Sequence, residues 1–435
     1  MKPINIGILG LGTVGTGAVE VLKDNAAEIS RRLGRDVNVF MVSSRNAEKA
    51  KAVCPSETLV TADPFEVVRH PDVDIVAELF GGTDLARELV MEALRNGKHV
   101  VTANKKLLAE YGNEIFSLAE QKNVMVQFEA AVAGGIPIIK ALREGLAANH
   151  IQSIAGIING TSNFILSEMR EKGSAFADVL QEAQALGYAE ADPTFDIEGH
   201  DAGHKITIMS ALAFGTPVNF SACYLEGISK LDSRDIKYAE QLGYRIKLLG
   251  ITRKTAKGIE LRVHPTLIPE SRLLANVNGV MNAVRVKANM VGETLFYGPG
   301  AGSLPTASSV VADIIDISRL ITADAGNRVP HLAFQPSQVQ EQVILPMDEI
   351  TSSYYLRVQA EDKSGVLGSI AGLLASEEVS IEALIQKGVV GHTAEIVILT
   401  HSTQEKRIKA AIADIEALPF VHEPVIMIRM ESLDG

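Results

Sequence analysis

Cysteine is nearly absent from the 435 residues: only Cys54 and Cys223 occur, far apart and with no second Cys or His at metal-site spacing. That excludes a disulfide scaffold or a zinc ribbon and fits a reducing, cytoplasmic setting. Long apolar runs are missing as well. No stretch is long enough to span a bilayer, and Met-Lys-Pro-Ile-Asn-Ile leads straight into an apolar strand rather than a signal segment with a cleavage site, so no membrane partner is expected. Blocks of one charge sign are absent too. Lys and Arg total 41 against 53 Asp and Glu, a net charge of −12, and an acidic chain without a basic patch excludes nucleic acid as a partner.

The length implies two or three domains, and the rhythm of the chain changes twice. Short β-branched runs at 4–9, 37–42, 75–79, 99–102 and 124–128 alternate with amphipathic stretches, which predicts a Rossmann-type, doubly wound parallel sheet over residues 1–130. Residues 131–304 bring longer Ala- and Gly-rich helical stretches such as 136–148, with strands at 151–158, 246–251 and 283–289. This predicts a second α/β domain. A helix over 305–321 is expected to return to the first domain, and 322–350, rich in Pro, Gln and Asn, reads as a linker. Residues 351–435 follow as a separate βαββαβ, ferredoxin-like module, with strands at 354–360, 379–386, 394–399 and 425–430 and helices at 366–376 and 404–415.

Gly10-Leu11-Gly12-Thr13-Val14-Gly15 follows the first strand and opens a helix. The first glycine permits the tight turn, the second lets backbone amides approach a pyrophosphate, and the third lets helix and strand pack closely. A plain tight turn is the alternative. At the end of the second strand an acid would bind the ribose of NAD. Asp36 lies at the wrong end, and the strand runs into Ser43-Ser44-Arg45, whose guanidinium suits the 2′-phosphate of NADP. NADP is therefore expected in preference to NAD, with a solvated turn arginine as the alternative.

Asp201 and Lys205 are four apart, on one face of a helix that continues through Ile206, Ile208, Met209, Leu212 and Phe214. A charged pair so placed costs desolvation unless it has a task; a surface ion pair is the plainer reading.

Four segments occur in the order found in homoserine dehydrogenases, and over residues 4–321 the chain resembles that family: Thr102-Ala103-Asn104-Lys105-Lys106, Gly156-Ile157-Ile158-Asn159-Gly160-Thr161-Ser162-Asn163, Gly187-Tyr188-Ala189-Glu190-Ala191-Asp192-Pro193 and Asp201-Ala202-Gly203-His204-Lys205. The likeness is to monofunctional members, since no aspartate-kinase region precedes the glycine loop. It implies NAD(P)H-dependent reduction of L-aspartate 4-semialdehyde to L-homoserine, in threonine, methionine and isoleucine biosynthesis. It makes Lys205 the proton donor, with Lys105 holding the substrate and polarising the same oxygen; Lys106 is the adjacent competitor. Glu190 and Asp201 become the acids that hold the substrate amino group, and Asp196 another acid near the site. Thr83, Thr102, Lys105, Gly187 and Gly302 are placed against the cofactor. Glu129, Val132, Gly134 and Ile136 match a loop that binds a monovalent cation, sodium above all, although a buried Glu129 capping a helix at Ile136-Pro137 is the alternative.

The segment 354–367 resembles the opening of an ACT domain, with Asp362 and Gly365 in the acid-x-x-Gly turn where such modules take amino acids. Threonine feedback is the natural expectation, and a module that only dimerises the alternative. The assembly is expected to be a homodimer or homotetramer. A catalytically inactive protein that binds nucleotide and amino acid is the other reading, but it would lack one of Lys105, Glu190, Asp201 and Lys205, and all four are present. A covalent semialdehyde dehydrogenase is disfavoured because neither cysteine sits in a nucleophile motif.

Overall fold

The computed structural model describes residues 2–322, 329–390 and 393–433. Residues 323–328 of the expected linker lie outside them. Two compact units emerge: residues 1–154, 204–221 and 281–342 form one, and 155–203, 222–280 and 343–435 the other.

The first unit contains the parallel sheet. Its strands are β1 (Ile4–Leu9), β2 (Val37–Ser43), β3 (Leu59–Thr61), β4 (Ile75–Glu78), β5 (His99–Thr102) and β6 (Val126–Gln127), in the order β3-β2-β1-β4-β5-β6. The helices between them are α1 (Thr13–Asp24), α2 (Ala26–Leu33), α3 (Ala47–Val53), α4 (Pro64–Arg69), α5 (Asp84–Arg95) and α6 (Lys105–Gln121). All six residues of β1 are buried, as a central parallel strand covered on both faces requires. The order reverses between β1 and β4, so the crevice at their C-terminal ends is where such a sheet takes a ligand.

After β6 the expected helix over 136–148 is replaced by a short α7 (Ile138–Lys140) and a wide π turn over Ala141–Gly145. The amide of Leu146 reaches back five residues to the Ala141 carbonyl (2.8 Å), which admits one extra residue into the turn that carries the buried Arg143. Further along the chain come β7 (Ile151–Ile157), α8 (Gly160–Lys172), α9 (Phe176–Ala185), α10 (Thr194–Ile197), α11 (His200–Phe214), β8 (Tyr224–Leu225), α12 (Ser233–Gln241), β9 (Tyr244–Lys254), β10 (Ile259–Pro269), β11 (Met281–Ala288), β12 (Gly292–Pro299) and α13 (Ser303–Thr322). Within the first unit α13 packs Ala307, Val310, Val311, Ile314 and Ile317 into the core formed by β1, α1 and β2. Pro305 is tolerated because it falls in the first turn of α13, where no intrahelical donor is lost.

The second unit contains the C-terminal module: β13 (Thr351–Glu361), α14 (Val366–Ser376), β14 (Ile381–Val390), β15 (Thr393–Thr400), β16 (Thr403–Gln404), α15 (Glu405–Glu416) and β17 (Ile426–Met430). Its strands run β17-β13-β15-β14, all neighbours antiparallel. The strand expected from Val379 starts only at Ile381, because α14 ends in a left-handed Glu378 (φ 57) and the Val379 amide is still bonded to the Leu374 carbonyl (2.9 Å). Alternating residues Tyr354, Leu356, Val358 and Ala360 of β13 meet Ile370, Leu374, Ile408 and Ile415 in one apolar core. Of the stretch 329–350, Ile344 bridges to Ile259 at the start of β10, and Leu345 and Met347 are buried.

Candidate active site

The glycine loop has the shape its residues dictate. Gly10 takes φ 93, and a Cβ on Gly15 would stand 2.0 Å from the Gly10 carbonyl oxygen, so strand and helix close to a distance only glycine allows. No side chain caps α1 and no acid lies in its first turn, which leaves the amides after Gly12 to an anionic ligand. Ser303 Oγ, at the start of α13, donates to the Thr13 carbonyl (2.8 Å) and holds the loop from the other side. Gly302, just before it, has φ 122.

Arg45 is exposed two residues after the end of β2. Sequence reasoning missed a lysine four residues on: Lys49 on α3 donates its ammonium to the Leu11 carbonyl (2.7 Å), bringing a cation to the glycine loop. Asn46 caps α3 through the Lys49 amide (2.9 Å), so the turn that presents Arg45 also aims Lys49.

Lys105 is the first residue of α6, just after its cap Asn104, whose side chain accepts from Leu107 N (3.0 Å) and donates to the Gly82 carbonyl (2.7 Å). Thr102 closes β5 and Thr83 is the residue before α5. Lys106 is 48 % exposed and 3.8 Å from Glu110, whereas Lys105 is half-buried. Lys205 lies on α11, only 8 % exposed.

Glu129 is buried, and its two carboxylate oxygens accept the amides of Ile139 and Lys140 (2.8 Å each), so it caps α7. Its own amide donates to Asp313 Oδ2 (2.8 Å). Burial pushes the Glu129 carboxyl up to about 7, and burial together with Glu129 pushes Asp313 well above the usual carboxylate range. The loop after it turns through left-handed Ala133 (φ 56) and Gly134 (φ 51), and the Gly134 carbonyl accepts from Ser309 Oγ (2.7 Å). Ile136 presents its carbonyl to the Ile138 amide (2.8 Å).

In the second unit two of the three expected acids converge on one residue to which the sequence reading gave no role. Asn159 caps α8 by accepting from the Ser162 amide (2.8 Å) and donates its amide nitrogen to both Asp196 Oδ1 (2.7 Å) and Asp201 Oδ2 (2.8 Å). Asp201 is 4 % exposed. The Gly160 that follows is fixed by a close approach, since a Cβ there would meet the Val280 carbonyl at 2.8 Å. Asn163 donates to the carbonyls of Val277 and Gly279 and accepts from the buried Lys247, whose ammonium is pushed down to about 7 by burial. Glu190 stands apart, exposed on a loop that leaves α9 through left-handed Gly187 (φ 76) and is tied back by Gln184 and Thr161.

A phosphate-ready glycine loop at the switch point of a parallel sheet is the arrangement of a nicotinamide-dependent oxidoreductase. The comparisons make this particular. Residues 137–315 match the family model "Homoserine dehydrogenase", residues 10–129 "Homoserine dehydrogenase, NAD binding domain" and residues 354–420 "ACT domain". The chain is 79% identical over 434 residues to the homoserine dehydrogenase of Neisseria gonorrhoeae and 57% identical over 437 residues to that of Pseudomonas aeruginosa, covering 100% of both chains in each case. A crystal structure of a homoserine dehydrogenase from Thiobacillus denitrificans superposes with TM-score 0.96 at 62% identity, over 100% of this chain and 99% of that one. A hyperthermophilic archaeal homoserine dehydrogenase in complex with NADPH gives TM-score 0.62 at 31% identity, over 73% of this chain and 98% of that one. The chain belongs to the homoserine dehydrogenase family and ends in an ACT domain.

Proposed function

We propose that the chain reduces L-aspartate 4-semialdehyde to L-homoserine with NADPH, in the route to threonine, methionine and isoleucine. The observation that carries this reading is the pair of acids held by Asn159, with Asp201 one helical turn before the buried Lys205 on α11. A bound reduced nicotinamide supplies the hydride. Lys205 gives its proton to the aldehyde oxygen as that oxygen becomes an alkoxide, and Lys105 holds the substrate and polarises the same atom. An ammonium facing charge that develops only in the transition state lowers the barrier more than it tightens binding. Asp201, Asp196 and Glu190 receive the substrate ammonium, and Asn159 keeps the first two from turning away.

The division of labour follows: residues 1–130 with the helix over 305–321 hold the cofactor, 131–304 hold the substrate and dimerise, 322–350 link, and 351–435 regulate. In a cytoplasmic homodimer or homotetramer, threonine is the effector, received at the turn of Asp362 and Gly365. There Gly365 has φ 91 and precedes α14, and Asp362 accepts from Gln386 (3.1 Å). Oxidation of NADPH by the purified chain with aspartate 4-semialdehyde, and its fall on adding millimolar threonine, test activity and feedback together. A rate that ignores threonine reduces the module to a dimerisation element.

Arg45 and Lys49 together read the 2′-phosphate, and the NADPH complex of the archaeal relative accords with that choice of cofactor. Arg45→Ala and Lys49→Ala are each expected to raise KM for NADPH about tenfold, since a hydrogen bond to a charged group contributes about 1.5–3 kcal/mol. KM for NADH should stay nearly constant. An unchanged ratio of the two would remove both residues from cofactor choice.

The loop of Glu129, Val132, Gly134 and Ile136 suits a monovalent cation, held by backbone carbonyls and one acid. Each carbonyl or carboxylate oxygen already used in a hydrogen bond keeps a second lone pair for an ion. The ion would brace the loop that packs, through Gly134, against the turn at Gly300 before α13. Exchanging sodium for a bulky organic cation in the same assay should lower the rate; an unchanged rate leaves Glu129 as a helix cap alone.

A further inference from the structure

The parallel sheet buries one carboxyl that neither the glycine loop nor the substrate acids employ. Glu78 is the last residue of β4, 0 % exposed, after Ile75, Val76 and Ala77. It stands at the C-terminal ends of the strands, beside the switch in order between β1 and β4. Oε1 accepts the amide of Phe80 (2.9 Å) and Oε2 accepts the hydroxyl of Thr102 (2.6 Å). Thr102 Oγ1 in turn accepts the amide of Asn104 (3.0 Å), and Asn104 bonds the Gly82 carbonyl and caps α6. One carboxyl therefore fixes two strand-end turns, 80–83 and 102–105, and the second delivers Lys105.

A carboxyl in this place is a poor stabiliser of the fold. Burial raises its pKa from 4.5 to about 7, outweighing the hydrogen bonds from Thr102, Phe80 and Asn104 that favour the charged form. The groups that face it are uncharged: Thr102 and Asn104 from β5 and the turn beyond, and the Phe80 amide from its own loop. The folded chain keeps a proton that the unfolded chain releases above pH 4.5, so stability is lost as pH rises through that window toward 7. A glutamine of the same shape would serve the fold at least as well above it.

We propose that Glu78 is a positioning residue of the reductive site: by bonding Phe80 and Thr102 at once it sets the turn that presents Lys105 to the reacting oxygen. This rests on the role given above to Lys105. Glu78→Gln tests it, because glutamine can accept the Phe80 amide with its oxygen but turns a nitrogen toward Thr102, reversing that hydrogen bond without removing volume. The variant is expected to lose about tenfold or more in kcat, with KM for the semialdehyde and Kd for NADPH (read from NADPH fluorescence) within about threefold. Its thermal midpoint at about pH 8.5 is expected at or above that of the wild type. Thr102→Val should lower kcat in the same direction, and the double variant should be no slower than the slower single one, because both act in one node. A kcat within twofold of wild type, a loss confined to NADPH affinity, or a midpoint below wild type at that pH overturns the proposal. A wild type without turnover instead overturns the reading on which it rests.

Discussion

Lys205→Met is expected to lower kcat for aspartate 4-semialdehyde by about 10²–10⁴-fold while leaving Kd for NADPH nearly unchanged, the range seen when a positioned proton donor is removed. Lys205 is 8 % exposed on a helix that buries Ile206, Ile208, Met209 and Leu212, so methionine fills similar space there. Turnover should collapse while the chain stays folded and binds NADPH. A role in packing alone predicts the opposite pairing: a lower thermal midpoint with kcat nearly intact. The kcat against KM split carries the assignment further. A lysine that acts on the developing alkoxide lowers kcat and kcat/KM together, whereas one that only anchors the ground-state substrate raises KM.

Arg429→Met has the largest expected effect on stability, about 3–5 kcal/mol, because it strips the two-pronged guanidinium from a buried carboxylate and leaves it a half-exposed lysine, Lys409, at 3.6 Å. Arg429 on β17 and Glu405 on α15 are 1 % and 0 % exposed. Arg429 Nε donates to Glu405 Oε2 (2.9 Å), Nη2 to Glu405 Oε1, and Nη1 to Glu226 Oε2 (2.6 Å); Tyr354 adds its hydroxyl to Glu405 (2.9 Å). Tyr224 lies in β8 and Glu226 just after it, so this cluster joins the ACT module to the segment before α12. Two residues beyond Glu226, the Ile228 amide bonds the Ile197 carbonyl (2.8 Å), next to Asp196. Urea unfolding followed by hydrogen exchange in β17 and α15 reads the loss. The double variant Arg429→Met, Glu405→Leu should recover part of it, since an apolar pair leaves no orphaned charge. A single variant within about 1 kcal/mol of wild type would show that water reaches Glu405.

What was legible in the sequence is what repeats with a period or occupies a fixed local spacing. The alternation of apolar strands gave the parallel sheet, the glycine spacing its ligand loop, and the four-residue step from Asp201 to Lys205 a single helix. Asn159 stood in a motif read as a whole, but its task depends on acids 37 and 42 residues further on, which only the fold brings together. Lys49 is one of two exposed lysines of α3, and only the turn capped by Asn46 aims it at Leu11. Glu78 was hidden inside an apolar run. β10 was overlooked because Glu260, Arg262, His264 and Thr266 break its apolar pattern. All four are buried, and Arg262 pairs with Glu260 and Glu431 there, while burial holds His264 far below its usual pKa and hence neutral. A strand whose polar face is satisfied by a residue 169 positions away, as Arg262 is by Glu431, cannot be told from a surface loop by pattern alone.

The most direct test follows the hydride itself. Purified chain is given NADPH deuterated at the transferred position of the nicotinamide together with aspartate 4-semialdehyde, and the homoserine formed is weighed by mass spectrometry. The account predicts one deuterium on C4 of homoserine at a rate that Lys205→Met suppresses while NADPH remains bound. Homoserine without the label, or no homoserine from a folded, NADPH-bound chain, would contradict it.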